Sequence, residues 1–160
     1  MLNKIRSLKD KFIIKYQRSK RGFSYIDAYN INSWMSHQFA GMILYLRDNT
    51  ITCPIELKHS VNDFPTDWVK ANIPIVEKVL RDNGDPGWKF NSENSFHMWL
   101  LILTRMAYCF NYTDSNKYVN NINVGDESFL QDCKQAVDLM NKYKTEAMKL
   151  LNIYFYDMWS

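Results

Sequence analysis

The stretch from about residue 93 to residue 111 constrains this chain more than any other. Phe96, Trp99, Leu100, Leu103, Met106, Ala107 and Phe110 recur at helical spacing, and the run Leu100-Leu101-Ile102-Leu103 fills in the remaining faces. A helix that is apolar nearly all round has to be enclosed by other elements. The spacing therefore predicts a central helix, capped by Ser92 or Asn94. No run of 18 apolar residues occurs, so none of the chain reads as a membrane span. Five glycines and four prolines are too few for the frequent turns of an all-β domain, and 24 aromatic residues are too many for a disordered chain. The fold expected over residues 1–160 is all-α: a single-domain helix bundle of about five helices with a long C-terminal helix.

The partners of the central helix follow from the same periodicity. A first helix is expected over about 3–19, where Leu2, Ile5, Leu8, Phe12 and Tyr16 form a stripe that should dock on the core or on another subunit. After a break at Lys20-Arg21-Gly22-Phe23, Ser24-Tyr25-Ile26-Asp27 has the form of a capping box. A helix over about 25–48 should bury Ile31, Trp34, Met35, Phe39, Met42, Ile43 and Leu46 and end at Asn49-Thr50. A third helix is expected over about 66–82, with Pro74 predicting a kink or a late start. Asn83-Gly84-Asp85-Pro86-Gly87 marks a turn, and residues 112–125 read as a polar loop. The last helix, about 127–157, would run some 45 Å at about 1.5 Å per residue. It is expected either to break near Tyr143 or to extend into a subunit interface.

Charge is unevenly placed. Residues 1–21 hold eight basic residues and the single acid Asp10, a net +7, whereas the whole chain is only +3. Such a segment attracts phosphates of nucleic acid, nucleotide or lipid, or serves as a solvated helix face. The overall pI near 8.7 is low for a dedicated nucleic-acid binder. No secretory signal follows the basic N-terminus. Cys53, Cys109 and Cys133 are odd in number and widely spaced, and they read as reduced thiols. Phosphate-loop, dinucleotide, zincin, C-x-x-C and nucleophile-elbow motifs are all missing. His37, His59 and His97 stand in separate elements with no partner at ligand spacing, so no metal or other cofactor is expected. Asp63 with Asp67, and Asp126 with Glu127, read as caps and solvated pairs rather than a catalytic dyad. The chain is not expected to be an enzyme.

The constellation that remains is Arg18, Lys20 and Arg21 beside Phe23, Tyr25, Asp27, Tyr29, Asn30 and Trp34. Cations neutralise phosphate, flat rings stack on bases, and Asn and Asp reach base edges or ribose hydroxyls. Gly22 would let backbone N–H groups approach an anion just ahead of a helix N-terminus. A purely structural account competes: Phe23 as a hydrophobic staple, Asp27 as the capping acid, Trp34 as core, and the basic residues as solvated charge. Tyr154, Tyr156 and Trp159 offer a second aromatic surface near the C-terminus, against an ordinary structural role, since Tyr154 also continues the apolar series of the last helix with Ala147 and Leu150.

Three stretches also resemble a known pattern. Arg21-Gly22-Phe23-Ser24 with Asp27, Tyr29-Asn30-Ile31-Asn32 and Trp34 is similar to an R-G-W-S-D…W-N-L-D opening. Trp99, Ile102-Leu103, Met106 and Cys109-Phe110 are similar to W-x-x-I-L-x-x-M-x-x-A-F. Glu146 through Leu151, with Tyr154-Phe155 and Met158-Trp159, is similar to E-G-L-x-L-F-x-x-Y-F-x-x-L-W. In this order they resemble a widespread family of small proteins of tailed bacteriophages and prophages. Asn32 stands where that pattern has Asp, Tyr29 where it has Trp, and residues 55–91 read as an insertion. The resemblance implies a phage protein acting in the cytoplasm of the infected bacterial host. In that setting the constellation fits an anti-defence sponge: a homo-oligomer that sequesters a nucleotide second messenger, cyclic oligonucleotide or ADP-ribose-type, without cleaving it. The alternatives are a phage interaction protein that inhibits a host or defence protein, or a nucleic-acid-binding accessory protein.

Overall fold

The computed structural model of the chain describes residues 2–21, 24, 31–113 and 129–158. Among the described residues there are five α-helices, one short 3₁₀ turn and no strand. The elements are α1 (Leu2–Arg21), α2 (Ile31–Asn49), the 3₁₀ turn Val61–Asp63, α3 (Thr66–Asp82), α4 (Ser95–Asn111) and α5 (Phe129–Tyr154).

Helix α4 is the axis of an all-α bundle, with α2, α3 and α5 each packed against it. Asn94 starts it: its side-chain oxygen accepts from the backbone N–H groups of Phe96 at 2.9 Å and His97 at 3.3 Å. Every residue from His97 to Ala107 is buried, as expected for a helix apolar on all sides. Trp99, Leu100–Leu103 and Met106 form the centre of the core, closed by Val76 and Leu80 from α3 and by Ala147, Leu150 and Tyr154 from α5. Gly84, at φ +75°, supplies the left-handed turn after α3 that only glycine adopts without strain.

Several expectations change in detail. Helix α1 continues through Lys20 and Arg21, where a break was expected. Its stripe does not dock on the core at Phe12 and Tyr16, which are 80% and 60% exposed. The buried face of α2 is Ser36, Ala40 and Ile43, whereas Ile31, Met35 and Met42 are exposed. The expected stripe holds at Phe39, Ile43 and Leu46, which pack on the core, with the Phe39 ring stacked 5.2 Å from Phe110 of α4. Helix α3 starts at Thr66 and runs through Pro74. The carbonyl that proline leaves unpaired belongs to Lys70, an exposed residue whose carbonyl water can serve. Helix α5 does not break at Tyr143. Its 26 residues span about 39 Å, with Ala147, Leu150 and Tyr154 buried on the bundle and Val137 and Leu139 exposed beyond it.

Candidate functional site

The sequence-predicted constellation is only partly described. Arg18, Lys20 and Arg21 form the last turn of α1 and are exposed. The Lys20 ammonium lies 5.3 Å from the centre of the Tyr16 ring. Trp34, in the first turn of α2, is half-buried. Phe23, Tyr25, Asp27, Tyr29 and Asn30 lie outside the described residues, as do the Asp27 end of the capping box and Trp159. Of the C-terminal aromatics, Tyr156 is exposed, whereas Tyr154 is a core residue, in line with its place in the apolar series of the last helix and not with a surface patch. Its ring tilts against Trp99 at 5.3 Å, because helical spacing puts position 154 on the same face as Ala147 and Leu150.

A second site was not anticipated. It is centred on Arg105, the only permanently charged side chain in the apolar stretch Phe96–Phe110 and buried there to 3% exposure. A buried guanidinium needs a paired, hydrogen-bonded anion. Arg105 Nε donates to Glu146 Oε1 at 2.6 Å and Nη2 donates to Oε2 at 2.8 Å, a fork-on-fork pair between α4 and α5. Aromatic faces enclose the cation, with ring centres 4.8 Å away for Trp68, 5.3 Å for Tyr108 and 5.8 Å for Tyr143. Burial works against the Arg105 charge, but its hydrogen bond to Glu146 and the surrounding charges outweigh it, so the group titrates above its ordinary range. The same burial pushes the neighbouring Cys109 thiol up to about 12, and the Tyr108 phenol well above its usual value. Cys109 is therefore a protonated core thiol at neutral pH and not a nucleophile.

Beside this pair opens a pocket of about 290 Å³, lined by His59, Asp63, Phe64, Pro65, Arg105, Lys142, Glu146, Lys149 and Leu150. The segment before the 3₁₀ turn is held by Tyr154, whose phenol oxygen accepts from the Lys58 backbone N–H at 3.0 Å and lies 2.9 Å from His59 Nδ1. One hydrogen therefore lies between the Tyr154 oxygen and Nδ1, donated by the phenol to the ring in one imidazole tautomer and by the ring to the phenol in the other. Desolvation lowers the His59 pKa below its ordinary 6.5, so the ring is neutral at pH 7. Asp63 Oδ2 accepts from the Ser60 backbone N–H at 2.7 Å and from the Ser60 hydroxyl at 3.1 Å, and these bonds hold its carboxyl below the usual range.

A third concave feature is an apolar groove of about 700 Å³ between α2 and the end of α5. Phe39, Met42, Ile43, Tyr45 and Leu46 form one wall, and Leu151, Phe155 and Met158 form the other. No group of three or more His, Cys, Asp or Glu side chains that could hold a metal ion occurs among the described residues. No helix among them is long and apolar enough to cross a membrane. No protein-family model, curated protein or solved structure matches the chain.

The signal for the Arg105 site was present in the sequence as an isolated charge in an apolar helix. Its partner was not, because Glu146 is 41 residues away in a helix rich in solvated charges.

Proposed function

We propose that this chain is a phage-encoded binding protein that captures a nucleotide-derived signal in the infected bacterium and leaves it intact. The supporting observation is the exposed basic end of α1, where Arg18, Lys20 and Arg21 occupy a single turn ahead of the segment that leads to Trp34 in α2. Such a turn can neutralise phosphates while nearby rings stack on a base. Capture of this kind requires affinity and enclosure but no reacting group, and a second subunit would supply the enclosure.

The test is to incubate the purified chain with cyclic oligonucleotides and ADP-ribose isomers, then heat it and analyse what is released. One ligand should be depleted and returned unchanged, and Arg21→Ala should abolish depletion with helicity preserved. No depletion across the panel would reject the reading, and a new product in the released material would make the protein an enzyme.

The apolar groove favours a second reading, an interaction protein that inhibits a host or defence protein. Exposed apolar surface rimmed by polar residues marks such contacts. Met42→Lys with Tyr45→Lys should then abolish the biological effect and spare nucleotide capture. A nucleic-acid accessory role would instead appear as a salt-dependent gel shift lost on Lys9→Ala/Lys11→Ala/Lys15→Ala substitution.

A further inference from the structure

We infer that the pocket beside the Arg105–Glu146 pair is a binding site for the phosphoryl group of a small phosphomonoester. Lys142, Glu146 and Lys149 fall at helical spacing on one face of α5. Glu146 would ordinarily neutralise its two lysine neighbours, but both of its oxygens are taken by Arg105. Neither lysine forms an ion pair among the described residues. The other carboxylate in the pocket, Asp63, is held by the N–H and hydroxyl of Ser60. Arg105 and Glu146 compensate each other, so two ammonium groups face one remaining carboxylate, Asp63, which is already held by Ser60, and the lining carries a surplus of positive charge.

The rest of the lining sets the ligand class. The neutral His59 imidazole adds a polar edge to the cationic lining. Phe64, Pro65 and Leu150 make an apolar wall. A volume of about 290 Å³ exceeds what a bare phosphate fills and lies at the small end of ligand pockets. A phosphoryl group attached to a compact apolar or aromatic body satisfies both halves. A dianionic phosphoryl head with three terminal oxygens suits several separate donors better than a carboxylate does. This site shares no residue with the basic end of α1 and does not depend on the nucleotide reading.

The test titrates the intact chain with phenyl phosphate, inorganic phosphate and benzoate, followed by calorimetry and amide chemical shifts. Phenyl phosphate should saturate one site, inorganic phosphate should bind more weakly, and benzoate weakest. The shifts should centre on residues 58–65 and 142–150. Lys142→Gln/Lys149→Gln, both exposed positions, should weaken phenyl phosphate about ten-fold or more with an unchanged melting temperature. Arg21→Ala should leave binding as it is. The inference fails if neither phosphate probe saturates at millimolar concentration, or if the double variant binds as well as the parent. It also fails if benzoate matches phenyl phosphate, or if Arg21→Ala removes the binding.

Discussion

Helices α1 and α4 are of similar length, 20 and 17 residues, and meet opposite fates. In α4 the apolar residues wrap the whole circumference, and eleven consecutive residues, His97 to Ala107, are buried. In α1 they form a narrow stripe between eight basic side chains, and Phe12 stays 80% exposed. What separates them is the width of the apolar surface, not helical propensity. Burial stabilises by about 25 cal/mol per Å² of apolar area removed from water, so α4 supplies the centre of the core, while Phe12 and Tyr16 of α1 contribute little to it. The basic last turn of α1 complements the dipole at that end, but Lys4 and Arg6 oppose the dipole at the other. The core is thus built around one helix, and the concentrated positive charge is carried by another.

The contrast can be broken most directly by truncation. Leu101→Ala in α4 should cost about 2–5 kcal/mol of unfolding free energy in a denaturant titration. Phe12→Ala in α1 should stay within about 0.5 kcal/mol. Comparable losses would mean that α1 packs into the core and that the distinction is false. The next effect tests the one charge that α4 does bury. Glu146→Ala strands Arg105 and should destabilise by about 3 kcal/mol, whereas Arg105→Met/Glu146→Leu should recover most of that loss. Equal losses in the single and double variants would show that the pair contributes by something other than mutual charge compensation.

How much of this could be read in advance depends on range along the chain. Leu100–Leu103 placed the central helix, and Asn49-Thr50 and Gly84 placed the ends of α2 and α3, because caps, turns and periodicity are local properties. In α2 the stripe is legible at Phe39, Ile43 and Leu46, whereas Ile31, Met35 and Met42 look like core by composition but are exposed, and Ser36 and Ala40 are buried in their place. The cationic turn Arg18, Lys20 and Arg21 is exposed, as charge alone suggests, whereas five of its proposed companions lie outside the described residues. The Arg105 pocket was illegible because it draws on the segment before α3, on α4 and on α5, and no local pattern joins them.

Two smaller effects sharpen the comparison. Asn94→Ala removes the cap of α4 and should cost about 1 kcal/mol, measured as a lower denaturation midpoint with unchanged slope. If the loss is nil, the ends of α4 are held by tertiary packing alone. The weakest expected effect concerns His59. Its folded pKa is depressed, so between that value and the ordinary 6.5 the unfolded chain binds more protons. The His59 contribution is therefore fully present above about pH 6.5 and declines as pH falls through the folded value. Melting temperature should drop on acidification over that window, and His59→Gln should flatten the drop. An unchanged slope in the variant would assign it to other groups.

Cys109 sits without solvent exposure between the core and the Arg105 pair, and its thiol stays protonated to about 12. An alkylating reagent needs an accessible thiolate, so it can modify this sulfur only in molecules whose α4 has come away from its neighbours. With Cys53 and Cys133 replaced by serine, the rate of labelling at Cys109 becomes an internal clock for opening of the bundle. It would read how often each variant discussed above lets go of its centre, under conditions where the folded population overwhelmingly dominates.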